Sequence, residues 1–235
     1  MKLFIFLIFA LFFTLLLGLS GNAQQTIFNV PTSDVLDKGK VYAELDAAFK
    51  VDRGEHFGRF SSVVPRVVVG ISRKLEVGLN VIGNIQPGKD STTLVPTVKW
   101  KFYENETKDL ALFGGTHVYI PVRNRLYGVG TYSYLAASKT IRKTRLTAGG
   151  FVASKSVFAP LAVRAGGQFG LEHSLTDRVT LAADWITGRH ANGYFTPGII
   201  YKPHPKVTTY WSYSLGNDRS AEGNHFFLFE YGYSF

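Results

Sequence analysis

The chain of 235 residues contains no cysteine. That absence excludes a disulfide framework, and it also excludes the lipidated cysteine to which a lipoprotein anchor is attached. Beyond the first twenty or so residues there is no long stretch of helical apolar periodicity, which argues against a helical protein. No basic run is present either: 26 Lys and Arg against 17 Asp and Glu leave a formal charge of +9, but the basic residues are scattered along the chain. The excess therefore reads as loop and interior charge, and no nucleic acid is expected as a partner. Six histidines show no metal-site spacing, so neither a metal nor any other cofactor is expected.

What the sequence does contain points to an all-β protein: 14% aromatic residues and 24 glycines. The N-terminus is built differently. Met1-Lys2 precedes an apolar run from Leu3 to Leu17 broken only by Thr14, and small residues follow up to Ala23. The run is shorter than the ~20 residues a membrane-spanning helix needs. A basic start, a short apolar stretch and a small-residue site make residues 1–23 a signal peptide cleaved after Ala23. Residues 24–39 carry Pro, Ser, Asp and Asn without period and are expected to form a periplasmic lead-in. Residues 40–235 remain for the fold.

Within 40–235 the pattern has period two. Val41, Ala43, Leu45, Ala47 and Phe49 alternate with Tyr42, Glu44, Asp46, Ala48 and Lys50. Similar stripes run over 65–72, 75–82 and 94–103, the last keeping an apolar face although Lys99 and Lys101 lie on the other. Further strands are expected at 110–120, 126–136, 144–153, 161–172, 178–187, 194–202, 206–215 and 225–235. About twelve strands of roughly 9–11 residues fit an antiparallel transmembrane β-barrel. Both termini then lie on the periplasmic side. The connectors after even-numbered strands are short and polar, such as Ser72-Arg73-Lys74 and Lys202-Pro203-His204-Pro205, and the extracellular loops are also fairly short.

Two secondary patterns support this reading. Pro65, Pro96, Pro160 and Pro197 precede apolar stripes on strands running down from the outer face, so they are expected at strand starts near the outer rim. Aromatics gather where two interfacial girdles would lie: Phe102, Tyr103, Tyr201, Tyr233 and Phe235 at periplasmic ends, and Phe49, Tyr119, Trp185, Tyr194, Phe195 and Tyr213 at outer ends.

In the last strand Phe227, Phe229, Tyr231, Tyr233 and Phe235 alternate with Leu228, Glu230, Gly232 and Ser234, and the chain ends on the aromatic Phe235. This closely resembles the C-terminal aromatic signal by which Gram-negative outer-membrane proteins are handed to the barrel assembly machinery. The mature chain as a whole resembles the small outer-membrane barrels of about twelve strands. The resemblance implies location in the cell outer membrane, with outer-membrane lipid and the assembly machinery as partners. That group includes channels, a phospholipase and translocators, so it does not select an activity.

Alternation assigns Glu44, Asp46, Arg66, Glu76, Lys99, Lys101, Arg164, Asp184 and Glu230 to the lumen. If the first hairpin pairs Lys50 with Ser62, Asp46 faces Arg66; if the second pairs Asn84 with Thr93, Glu76 faces Lys101. Closure requires the first strand to pair with the last, placing Glu230 near Glu44 or Asp46 with Arg66 as counter-charge. Two functions lead, with a lipid-acting outer-membrane enzyme as a less favoured third. One is a narrow porin-like channel for small solutes, with the mild anion preference that Arg66, Lys99, Lys101 and Arg164 would impart. The other is a non-conducting envelope scaffold or partner-docking barrel. An outer-membrane lipase would need a Ser-His pair with an orienting acid. Glu172, His173 and Ser174 are adjacent, but strand neighbours point to opposite faces, so a non-enzymatic protein is expected.

Overall fold

The computed structural model describes residues 26–49, 61–84, 91–123, 128–158, 160–218 and 225–235. The signal peptide with its cleavage site, and Lys50, lie outside the described residues. Twelve strands follow in chain order: β1 Val41–Phe49, β2 Ser61–Ser72, β3 Leu75–Asn84, β4 Ser91–Asn105, β5 Leu110–Arg123, β6 Gly130–Ile141, β7 Thr144–Ala153, β8 Ala165–Ser174, β9 Val179–Ile186, β10 Tyr194–His204, β11 Val207–Gly216 and β12 His225–Ser234. Each pairs antiparallel with its sequence neighbours, and β1 pairs with β12 to close the barrel. Closure leaves no free sheet edge, which is what a sheet in lipid requires.

Period-two patterning becomes an inside and an outside. In β1 Tyr42, Glu44, Asp46 and Ala48 are buried, while Leu45 is 47% exposed. Leu79, Trp100, Leu135, Val152, Ile199 and Trp211 are likewise exposed on the outer surface. An apolar belt of this extent would aggregate in water and is the expected lipid contact of a transmembrane barrel.

Connections at the end where β1 begins are tight. Arg142-Lys143 alone joins β6 to β7, with Arg142 at φ 56°, the left-handed conformation a two-residue hairpin demands. Between β4 and β5 lies one 3-10 turn, Glu106–Lys108, capped by the Asn105 side chain and left through Asp109 at φ 47°.

Three expectations need correction. Residues 26–36 do not lie below the barrel: they fold into its lumen, and only residues 37–39 are exposed. Ile27, Phe28, Val30 and Leu36 are 0–3% exposed. Val30 packs against Phe113, Tyr132 and Phe151, Phe28 against Tyr210 and Phe226, and Leu36 against Tyr42 and Val68. Burying each such side chain is worth roughly 1.5–3 kcal/mol, which drives an otherwise polar segment inside. The prolines, next, sit within strands. At Val64-Pro65, Val95-Pro96 and Thr196-Pro197 the ladder to one neighbour skips both residues, as expected where proline supplies no N–H. Pro160 lies in the β7–β8 connection, because β8 starts only at Ala165 and β6 only at Gly130. Finally, Tyr119 and Tyr194 leave the outer girdle and turn inward against the interior clusters.

Candidate functional site in the barrel lumen

Most of the charges assigned to the lumen are there, and their register decides their partners. The first hairpin pairs Ala48 with Ser62, so Glu44 rather than Asp46 stands opposite Arg66. The second pairs Asn84 with Ser91, so Glu76 stands opposite Lys99 rather than Lys101. Both registers differ from expectation by two residues. A slip of two leaves every side chain on its expected face, which is why alternation could not detect it.

Arg66 lies 2.7 Å from Glu44 and 3.2 Å from Asp46, while Lys99 lies 2.9 Å from Glu76. Lys101 turns toward the periplasmic end and pairs with Glu104. Arg164 is exposed in the connection before β8, not on the inner wall, because that strand begins one residue later. The bases from which anion preference was expected are thus neutralised or outside the lumen. At the seam Asp46 faces Glu230 directly, as closure required.

The N-terminal segment is fastened to this charged wall. Asp184 accepts the backbone N–H groups of Phe28, Asn29 and Val30 at 3.0, 2.5 and 2.8 Å on one oxygen, and Asn29 also donates to Thr196. Glu76 accepts the Leu36 N–H at 2.9 Å, and Arg66 donates to Thr26. Asp34 takes two hydrogen bonds from Arg145, which also grips Glu172 at 2.6 and 2.8 Å. Burial pushes the Asp34 carboxyl up, but the Arg145 guanidinium, together with the charges of Lys99 and Lys202, holds it below its ordinary value. Sequence reasoning missed Asp34 and Arg145. Arg145 sits on the inward parity of β7, a signal that was legible, whereas nothing in residues 26–39 announced a lumen segment.

The segment divides the interior. Toward the outer end lies a cavity of about 270 Å³, walled by Phe28, Tyr132, Tyr194 and Phe226 and floored by Asp46, Arg66, Asn80 and Glu230. Thr26, Pro31 and His117 also border a smaller space of about 40 Å³ beside Lys99 and Glu76. That space has room for only a few water molecules. Toward the periplasmic end a third space of about 230 Å³ is lined by Ser33, Asp34, Glu104 and Arg145. The adjacent residues Glu172 and His173 point apart: Glu172 meets Arg145 inside, and His173 meets Thr144 on the outward parity. The aromatics Phe227, Phe229, Tyr231, Tyr233 and Phe235 occupy the outward parity of the closing strand and the residue after it.

A closed twelve-stranded barrel with an apolar belt, short turns at one end and a charged interior defines a transmembrane β-barrel of the outer-membrane type. Comparison with solved structures agrees. The chain is similar to the COG4313 outer membrane channel from Pseudomonas putida F1, with TM-score 0.54 and 12% identity over 86% of this chain and 98% of that one. It also matches the loop L8 deletion mutant of OmpT, an outer membrane protein of Vibrio cholerae, with TM-score 0.40 and 11% identity over 83% and 98%. No protein-family model matches the chain, and no curated protein matches it by sequence.

Proposed function

We propose that the protein is a narrow outer-membrane channel for small solutes, throttled by its own N-terminal segment. The observation that carries this reading is the segment inside the lumen, with a cavity of about 270 Å³ toward the outer end and one of about 230 Å³ toward the periplasmic end. A lumen built only for rigidity would have its space filled by side chains. Instead two sizeable cavities flank a segment held both by buried apolar side chains and by hydrogen bonds and ion pairs to the wall. The likeness in fold to an outer membrane channel adds support.

Single-channel recording of the refolded mature chain tests it. Small conductance is expected, rising severalfold when residues 24–39 are deleted; silence in both proteins would reject the channel. The second reading, a non-conducting scaffold, draws on the same lumen segment and predicts that silence. The proposed role is not enzymatic, a reading supported by Glu172 and His173 pointing to opposite faces of β8. A catalytic contribution would show as lipid turnover lost in Ser174→Ala.

Export and assembly belong to the same proposal: cleavage after Ala23, then recognition of Phe227, Phe229, Tyr231, Tyr233 and Phe235 by the barrel assembly machinery. Phe235→Ala should lower the assembled fraction in cells while leaving refolding in vitro intact, and an unchanged cellular yield would remove the signal from the proposal.

A further inference from the structure

The floor of the outer cavity is chemically unfinished. Glu44, Asp46 and Glu230 are buried, with carboxylate oxygens within 4.8 Å of one another. Glu44 accepts the Tyr42 hydroxyl on one oxygen, while the other lies 2.7 Å from Arg66 as an ion pair and takes no hydrogen bond. Asp46 offers only Oδ2 to Arg66, at 3.2 Å. Buried Asp46 Oδ1, Glu230 Oε2 and Asn80 Oδ1 have no hydrogen-bond partner among the described residues, and Glu230 is 1% exposed. Asp46, Asn80 and Glu230 all line the one cavity, beneath the rings of Phe28, Tyr119, Tyr132, Tyr194 and Phe226.

We propose that this cavity binds a small organic ammonium ion with an apolar or aromatic body. Three acidic side chains share one guanidinium, and an ammonium brings N–H donors and no acceptor to a floor where Asp46, Asn80 and Glu230 each have an oxygen without a partner. Aromatic walls cover the body and favour a cation over their faces. The volume, about 270 Å³, sits at the small end of ligand pockets. A divalent metal is less well served: calcium takes six to eight oxygens, and the Arg66 guanidinium already stands against both Glu44 and Asp46. Arg66 Nε is also unpartnered and gives a hydroxyl on the ligand something to accept from. The inference rests on the channel reading only in naming a solute for that lumen; binding and conductance are measured separately, so either can fail alone.

Isothermal titration of the refolded mature chain in detergent micelles with 2-phenylethylammonium chloride tests it, beside 2-phenylethanol, 3-phenylpropanoate and calcium chloride. Saturable one-site binding of the ammonium alone is expected. It should weaken about tenfold or more in Glu230→Gln and in Asn80→Leu, the scale of a lost charge-assisted hydrogen bond. Circular dichroism and heat-modifiable gel mobility check each variant's fold, and either variant suffices. No saturable uptake, equal uptake of the alcohol, calcium bound in its place, or affinity unchanged in the folded variants would each overturn the proposal.

Discussion

Asp184 of β9 and Asn29 of the N-terminal segment are joined twice: the Asn29 backbone N–H donates to Asp184 Oδ2 at 2.5 Å, and its side-chain amide to Oδ1 at 3.4 Å. Because Phe28 and Val30 donate to the same Oδ2, one carboxylate holds a whole turn of chain in the lumen. Asp184→Ala strands three amides, each at about 1–3 kcal/mol if they stay buried, so the turn should leave its seat. Hydrogen exchange read by mass spectrometry should show residues 26–31 exchanging at least tenfold faster, with a higher single-channel conductance; unchanged exchange would show that apolar contacts alone hold the segment.

The Glu76–Lys99 pair is almost fully buried, at 2% and 5% exposure. Buried pairs are near break-even against apolar residues, but removing one partner leaves an uncompensated charge costing about 3–5 kcal/mol. Lys99→Met should therefore destabilise the barrel on that scale in urea titrations, and Glu76→Gln combined with Lys99→Met should recover most of the loss. Additive effects would mean that the two side chains are not coupled.

Gly70 of β2 lies where the chain enters the lumen. A β-carbon there would collide with the backbone carbonyls of Leu36 and Asp37, neither of which is a flexible side-chain end that can give way. Gly70→Ala is expected to cost about 1–3 kcal/mol and to free the Leu36 N–H from Glu76, visible as faster exchange at residues 36–40. Gly128, with nothing near its missing β-carbon, is the control whose alanine variant should behave as wild type.

Asp34 couples the segment to pH. Its carboxyl is held by Arg145 below the ordinary value of 3.8. A depressed folded value means that its contribution is fully present above pH 3.8 and disappears as pH falls through the lower, folded value. Conductance and exchange at residues 27–36 should thus be flat through neutral pH and rise in acid. Asp34→Asn should raise both at neutral pH and should respond less to acid than wild type does. Identical acid responses would assign the transition to other carboxylates.

The facing of the wall is legible in the amino-acid pattern alone. Period two places Glu44, Asp46, Glu76, Lys99, Asp184 and Glu230 inside and the apolar stripe of each strand outside, and strand parity requires β1 to meet β12. The same pattern is blind to register: Glu44 opposite Arg66 and Lys99 opposite Glu76 differ from expectation by two residues, a shift that alternation cannot register. Arg164 was misplaced for a related reason, since inward parity continues past the end of a strand while the strand does not.

The sequence by itself therefore determined a barrel, its inside and outside, and its closing seam, because all three follow from local alternation and an even strand count. Only the tertiary structure decided that residues 26–36 fill the lumen. That segment has no period, and its anchor Asp184 stands 155 positions from Asn29. Its apolar side chains find cover, and its backbone donors find acceptors, only once twelve strands have closed around them.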